Sequence, residues 1–238
     1  MEVQELERMI GQQTAAKSNV FKALMRKVYL WMTLALVITG ITAAGVAGSP
    51  NMLALIYGNS MVMWGMVIAE LALVFYVTAR INKLSLGTAT LLFIIYSILN
   101  GAMLSSIFLV YTTATISKVF FITAGTFGAT AFYGYATKKD LSSMGSILFM
   151  ALIGLIIATV VNIFLKSAMF DLILCYIGVI IFVGLTAWDS QKIKQMLAVQ
   201  QYADEGAQKL ALMGALSLYL DFINLFLYLL RIFGRSED

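Results

Sequence analysis

The sequence predicts an all-α polytopic membrane protein, a bundle of seven transmembrane helices with the seventh at its centre. Composition is the first sign. Of the 238 residues, 61% are hydrophobic and only 12% charged, with a mean hydropathy of +0.90, whereas a soluble globular chain carries roughly 25% charged residues. Twelve acidic residues, 16 basic ones and no histidine are too few to cover a soluble domain of this length, so its outside is expected to be lipid. The second sign is a set of seven apolar stretches. Each is long enough to cross a hydrocarbon core about 30 Å thick, which takes roughly 20 residues at 1.5 Å apiece.

The stretches run Val28 to Gly48, Met61 to Thr78, Leu86 to Val110, Val119 to Ala136, Met144 to Leu165, Leu172 to Trp188 and Ala211 to Phe233. Breaks between them are short: Ser49, Pro50 and Asn51 begin the first, Arg80, Ile81, Asn82 and Lys83 form the second, and Lys138, Lys139 and Asp140 form the fourth. Such loops leave no room for a soluble domain. The expected organisation is an amino-terminal tail over 1–27, a transmembrane domain over 28–233 and a carboxyl-terminal tail over 234–238. The first 27 residues mix Glu2, Glu5 and Glu7 with bases and lack an apolar h-region, which reads as a tail and not a signal peptide. With seven spans, 12 basic residues fall on one side and four, Lys118, Lys166, Arg231 and Arg235, on the other. The amino terminus is therefore expected to be cytoplasmic. A basic strip from Lys17 to Lys27 either lies against anionic headgroups or serves only to set the topology.

Helices in lipid associate through small residues and hydrogen bonds. Gly125, Thr126, Gly128, Thr130 and Gly134 in the fourth span, Gly101, Ser105 and Ser106 in the third, and Gly40, Gly45 and Gly48 in the first are expected to let backbones approach closely. The single proline, Pro50, lies in a loop, so no span carries a proline-broken stretch.

Ionisable residues inside a bilayer are functional candidates by default. Glu70 lies near the middle of the second span, Asp189 closes the sixth and Asp221 sits inside the seventh. In that last span Ser217, Asp221, Asn224, Tyr228 and Arg231 are spaced 4, 3, 4 and 3 residues apart, which places them on one stripe of a helix surrounded by leucine and phenylalanine. Such a stripe must face partners or water, so this helix is expected to be the inner one. The rise per residue brings Asp189 and Asp221 to comparable depths if the sixth helix is drawn inward. Arg80 lies at a similar depth as a counter-ion, and Glu70 is about 15 Å deeper, on the same seam. Two carboxyls in one low-dielectric site cannot both ionise cheaply and titrate as a unit. A shared proton would hold them together, and its loss would let Arg80 engage Asp189 or open a wet, negative path for a cation. In the plainer alternative Asp189 only solvates a helix end beside Lys192, and Asp221 is satisfied by Asn224 or backbone.

Several chemistries are excluded. Without histidine there is no histidine-ligated zinc, no Ser/His or Cys/His nucleophile pair and no imidazole switch, and one cysteine, Cys175, makes neither an internal disulfide nor a thiolate cluster. A Gly-x-Gly-Asp motif, the mark of intramembrane aspartyl proteases, precedes neither aspartate, and no lysine lies inside a late span for a retinal. The chain is expected not to be an enzyme, to need no cofactor and to bind no nucleic acid.

The segment Gly214-Ala-Leu-Ser-Leu-Tyr-Leu-Asp-Phe-Ile-Asn-Leu-Phe-Leu-Tyr-Leu-Leu-Arg231 resembles the signature of the Bax inhibitor one family, the transmembrane Bax inhibitor motif proteins, and its bacterial branch in particular. Gly134-Tyr-Ala-Thr-Lys-Lys-Asp140-Leu-Ser and Gly184-Leu-Thr-Ala-Trp-Asp189-Ser-Gln-Lys-Ile are similar to it as well. The resemblance implies a seven-helix bundle around its last helix, in the bacterial inner membrane, acting as a pH-sensitive calcium leak. Its two-aspartate sensor would fall on Asp189 and Asp221, with a helix-two acid at Glu70. The family's arginine latch is matched only approximately, since Arg80 stands one residue away with Ile81 in its place, a rotation of about 100°. Calcium prefers six to eight hard oxygens. Asp189, Asp221 and Glu70, helped by Asn224, Asn100 and serines such as Ser217, offer fewer, which suits weak, transient passage. The alternative function is an adaptor that binds another membrane protein, such as a quality-control protease, and moves no ion. A proton-coupled carrier would need a substrate cavity that the sequence does not locate.

Overall fold

The computed structural model describes residues 2–234, so most of the carboxyl-terminal tail expected over 234–238, Arg235 included, lies outside the described residues. The helices are α1 (Glu2–Ala47), α2 (Pro50–Tyr57), α3 (Ser60–Arg80), α4 (Leu86–Leu104), α5 (Ile107–Val110), α6 (Thr113–Ala136), α7 (Ser142–Leu165), α8 (Ala168–Ala198) and α9 (Glu205–Gly234). No strand occurs among the described residues. The protein is an all-helical membrane bundle.

Among the described residues, six stretches are both long and apolar enough to cross a membrane: Ala15–Ala47, Ser60–Arg80, Leu86–Val110, Ser142–Leu165, Ala168–Ala198 and Glu205–Gly234. The expected fourth span, now α6, has the length at 24 residues but a lower hydropathy than these six. Its threonines and glycines dilute the hydropathy of Val119, Phe120, Phe121 and Ile122. It nevertheless packs on α8 and α9 with the rest of the bundle.

Two boundaries differ most from those read in the sequence. The amino-terminal tail and the first span are one helix of 46 residues, because Leu, Glu, Gln, Lys, Met and Ala favour helix and no proline interrupts the chain before Pro50. The sixth span does not close at Asp189: α8 continues to Ala198. Its extension is anchored to the α6–α7 turn. Gln191 Nε2 donates to the Lys139 carbonyl at 2.7 Å, the Leu141 N–H donates to Gln191 Oε1 at 2.8 Å, and Lys194 Nζ donates to the Tyr135 carbonyl at 2.7 Å.

The third span is interrupted after Leu104. Tyr57 of α2 reaches this break, donating to the Met103 carbonyl at 2.7 Å and accepting from the Ser106 N–H at 3.2 Å. Here a hydroxyl replaces the helical partners that α4 loses as it ends.

Helix α9 is the centre. Inside the protein, 67% of its span is buried, against 6% for α3 and for α7. Helices α1, α4, α6 and α8 surround it, α3 lies outside α4, and α7 lies outside α8. Close approach is achieved at particular glycines. Gly101 sits against the Thr39 backbone of α1, and Gly134 against the Ala187 backbone of α8, leaving no room for a Cβ. By contrast, Gly40, Gly45, Gly125 and Gly128 have nothing within 4 Å of a would-be Cβ. These four, expected to mediate helix contacts, do not do so within the chain.

Candidate functional site

The polar stripe of α9 faces an open cavity of about 450 Å³ bordered by α7, α8 and α9. Ser217, Asp221, Asn224 and Tyr228 all line it, as their 4-3-4 spacing requires. From α8 come Asp189 and Lys192, so the cavity joins the two aspartates singled out in the sequence. Its remaining walls are apolar, with Phe149 and Leu152 of α7 and Phe182 and Leu185 of α8. Asp221 is only 5% exposed, and its Oδ2 is buried without a hydrogen-bond partner. A buried acidic oxygen with no partner is costly unless it carries a proton or meets a cation or water.

Neighbouring groups hold the cavity in shape. Asn224 Nδ2 donates to the Leu220 carbonyl one turn back at 2.8 Å, which commits its donor end and leaves its carbonyl oxygen available. The Tyr228 ring stacks on Phe182, centroids 5.9 Å apart, and rests on Gly178, where any side chain would displace it. Lys192 Nζ lies 4.7 Å from the centre of the Trp188 ring, a cation–π contact that keeps an ammonium at the rim. At the far end of the stripe Arg231 Nη1 stands 3.6 Å from Asp171 Oδ1 in the first turn of α8.

Glu70 is elsewhere. Its side chain hydrogen-bonds Asn100 of α4 and its Oε1 is buried without a partner. Asn100 Oδ1 accepts from Tyr219 Oη at 3.1 Å, and Tyr219 Oη lies 2.7 Å from Thr39 Oγ1 of α1. Tyr219 and Asp221 are two positions apart on one helix and project about 200° apart. Glu70 therefore joins a hydrogen-bonded chain on the opposite side of α9 and does not line the cavity of the two aspartates. The seam expected to hold all three acids is two separate polar sites, and three carboxylates do not cluster anywhere among the described residues.

Arg80 does not meet Asp189 either. It is exposed, and its guanidinium makes no ion pair or hydrogen bond among the described residues. The neighbouring Ile81 is 4% exposed and belongs to the core, so the one-position offset turns an aliphatic side chain inward and the arginine outward. The cation on the cavity is Lys192, which the sequence offered only as a partner for a helix-end aspartate. Its i+3 spacing from Asp189 was the available signal.

Residues 21–238 match the family described as inhibitor of apoptosis-promoting Bax1. The chain belongs to the Bax inhibitor family. Among its relatives, the inner membrane protein YbhL of Escherichia coli strain K12 is 52% identical over 214 residues, covering 90% of this chain and 92% of its own length. Protein RP147 of Rickettsia prowazekii is 43% identical over 231 residues, 94% and 96% of the two chains. A membrane protein of Streptococcus pyogenes serotype M1 is 40% identical over 187 residues, 79% and 80%. With its apolar spans, this Bax inhibitor family member is a multi-pass protein of the inner membrane, in contact with the lipid bilayer.

Proposed function

We propose that this protein is a proton-gated cation leak, passing calcium weakly, with Asp189 and Asp221 as the gate. The observation that carries the reading is the convergence of both carboxylates on one cavity, with an oxygen of Asp221 buried and unpartnered. Carboxylates that share such a space titrate as a pair. With one proton between them, the pair carries a single negative charge, which Lys192 at the rim offsets. Once it leaves, two negative charges favour water and a divalent cation, with the Asn224 carbonyl oxygen and the Ser217 hydroxyl as further hard ligands. Two carboxylates and two neutral oxygens are too few to store calcium, which suits a leak. Lys192, at the rim, supplies the opposing charge expected of Arg80. Glu70 stands outside this path. The reading is non-enzymatic and needs no resident cofactor. Its orientation in the bilayer follows the charge asymmetry, with the amino terminus cytoplasmic.

The test is calcium flux into proteoliposomes across pH, for wild type and for Asp189→Asn and Asp221→Asn. Flux that rises with pH in wild type and loses that dependence in either variant is the expected result. Absence of flux at every pH would overturn the leak reading and favour an adaptor that binds another membrane protein.

A further inference from the structure

A second concavity lies on another side of α9. Helices α1 and α6 both rest on α9, and the space between them is a groove of about 710 Å³ whose floor is formed by Phe127 and Phe222. It is open to the outer face of the bundle, since Tyr29, Thr33, Gly128 and Phe132 on its walls are exposed. Almost everything lining it is apolar. Apart from Thr33, the exceptions gather at one end, where Lys22 and Arg26, one turn apart on α1, stand beside Tyr29 and Tyr135. Both cations are exposed, and neither makes an ion pair or hydrogen bond among the described residues.

Depth decides what belongs there. Roughly 20 residues fill a hydrocarbon core, and counting back from Ala47 at the end of α1 reaches Val28, which places Lys22 and Arg26 at the level of the headgroups. From Arg26 to Leu36, at the deep end of the groove, α1 rises about 15 Å, half of a core about 30 Å thick. The groove thus spans one leaflet, cationic where phosphates lie and apolar where acyl chains lie. Neither an aqueous solute nor a soluble peptide matches both ends.

We propose that the groove between α1 and α6 is a binding site for an anionic phospholipid, with one acyl chain laid against Phe127 and Phe222 and the phosphate held by Lys22 and Arg26. The charge at its mouth selects the headgroup, and the groove selects a lipid over a free phosphate. This site shares no lining residue with the aspartate cavity and does not depend on the leak reading.

Native mass spectrometry of the full-length protein tests it, by titration with phosphatidylglycerol and phosphatidylcholine of identical acyl chains. Wild type is expected to retain one phosphatidylglycerol about thirtyfold more tightly than phosphatidylcholine, the selectivity of two basic groups at a membrane surface. K22Q/R26Q, which alters only exposed side chains, should erase that preference. Gly128→Leu should weaken both lipids, because a side chain at 128 meets nothing within 4 Å of its Cβ and projects into the acyl space. Equal affinity for the two lipids in wild type, or an unchanged preference in K22Q/R26Q, would overturn the proposal. So would full retention by Gly128→Leu, or displacement of the lipid by inorganic phosphate alone.

Discussion

Gly178 of α8 lies directly against the ring of Tyr228 of α9, so that a Cβ at 178 would stand 2.8 Å from the ring carbons. Tyr228 is also part of the cavity wall, which makes this contact both a helix-packing element and a determinant of the site's shape. Gly178→Ala is expected to destabilise the protein by about 1–3 kcal/mol, as overpacking does in other close-packed cores. Gly128→Ala, with open space around it, should be neutral or slightly stabilising, because alanine favours helix over glycine. Thermal unfolding in detergent distinguishes the two, and identical midpoints would contradict the packing assignment.

The second prediction concerns Glu70. Because it bonds Asn100 on the far side of α9 from Asp221, Glu70→Gln should leave the pH profile of calcium flux where wild type has it. Tyr219→Phe removes the fully buried hydroxyl that links Asn100 to Thr39. It should cost about 1–3 kcal/mol, since both partners lose a bond in a dry interior. A displaced flux profile in Glu70→Gln would place that acid on the ion path after all.

Charge at the cavity rim leads to a third expectation. Lys192 lines the cavity and Arg80 does not. Removing a positive charge near a carboxylate pair disfavours the ionised form, so Lys192→Gln should move the flux profile to higher pH. Arg80→Gln should leave it in place. Flux measured for both variants in the same vesicles decides the matter, and the opposite pattern would restore the arginine as latch.

The turn between α6 and α7 offers a titration outside the membrane. Hydrogen bonds from the Ser142 side chain and from its N–H, the latter at 2.9 Å, hold the Asp140 carboxyl below its usual range. A carboxyl whose folded value is depressed stabilises the fold above its ordinary value near 4. That contribution fades as pH falls through the lower folded value. The protection of the Ser142 amide, its exchange rate relative to an unstructured amide at the same pH, should therefore fall on acidification below about pH 4, and Asp140→Asn should remove that dependence. Protection that does not change with pH in wild type would show that the bond has no such role.

What was legible in the sequence depended on which coordinate of a helix was in question. Rise per residue gives height along the membrane normal, and the face shared by Ser217, Asp221, Asn224 and Tyr228 follows from periodicity alone. The shared face is found in the structure, where all four residues line one cavity. Azimuth between helices does not follow from either, which is why Glu70, expected on the seam of Asp189 and Asp221, stands with Asn100 and Tyr219 on another side of α9. The end of α8 was hidden for a different reason: Lys192 and Lys194 resemble loop charges. They are helical because one stacks on Trp188 and the other binds the Tyr135 carbonyl. Glycines such as Gly40 and Gly125 were read as contacts because small size permits approach, but approach also needs a neighbour. The hydropathy of α6 understates its fit to an apolar surrounding, since its threonine hydroxyls bond carbonyls of their own helix, as Thr123, Thr126 and Thr130 do.

The most enclosed helix, α9, is also the last of the described helices to be made. Synthesis runs from the amino terminus, so the ribosome delivers the walls of this bundle before the piece they enclose. Until α9 arrives, the inward faces of α1, α6 and α8 have only lipid or one another to touch. Assembly then requires a partly polar helix, carrying Asp221 and Asn224, to enter a space already bounded by its neighbours. For this architecture the arrival of α9 among its neighbours and the creation of the candidate ion site are a single event.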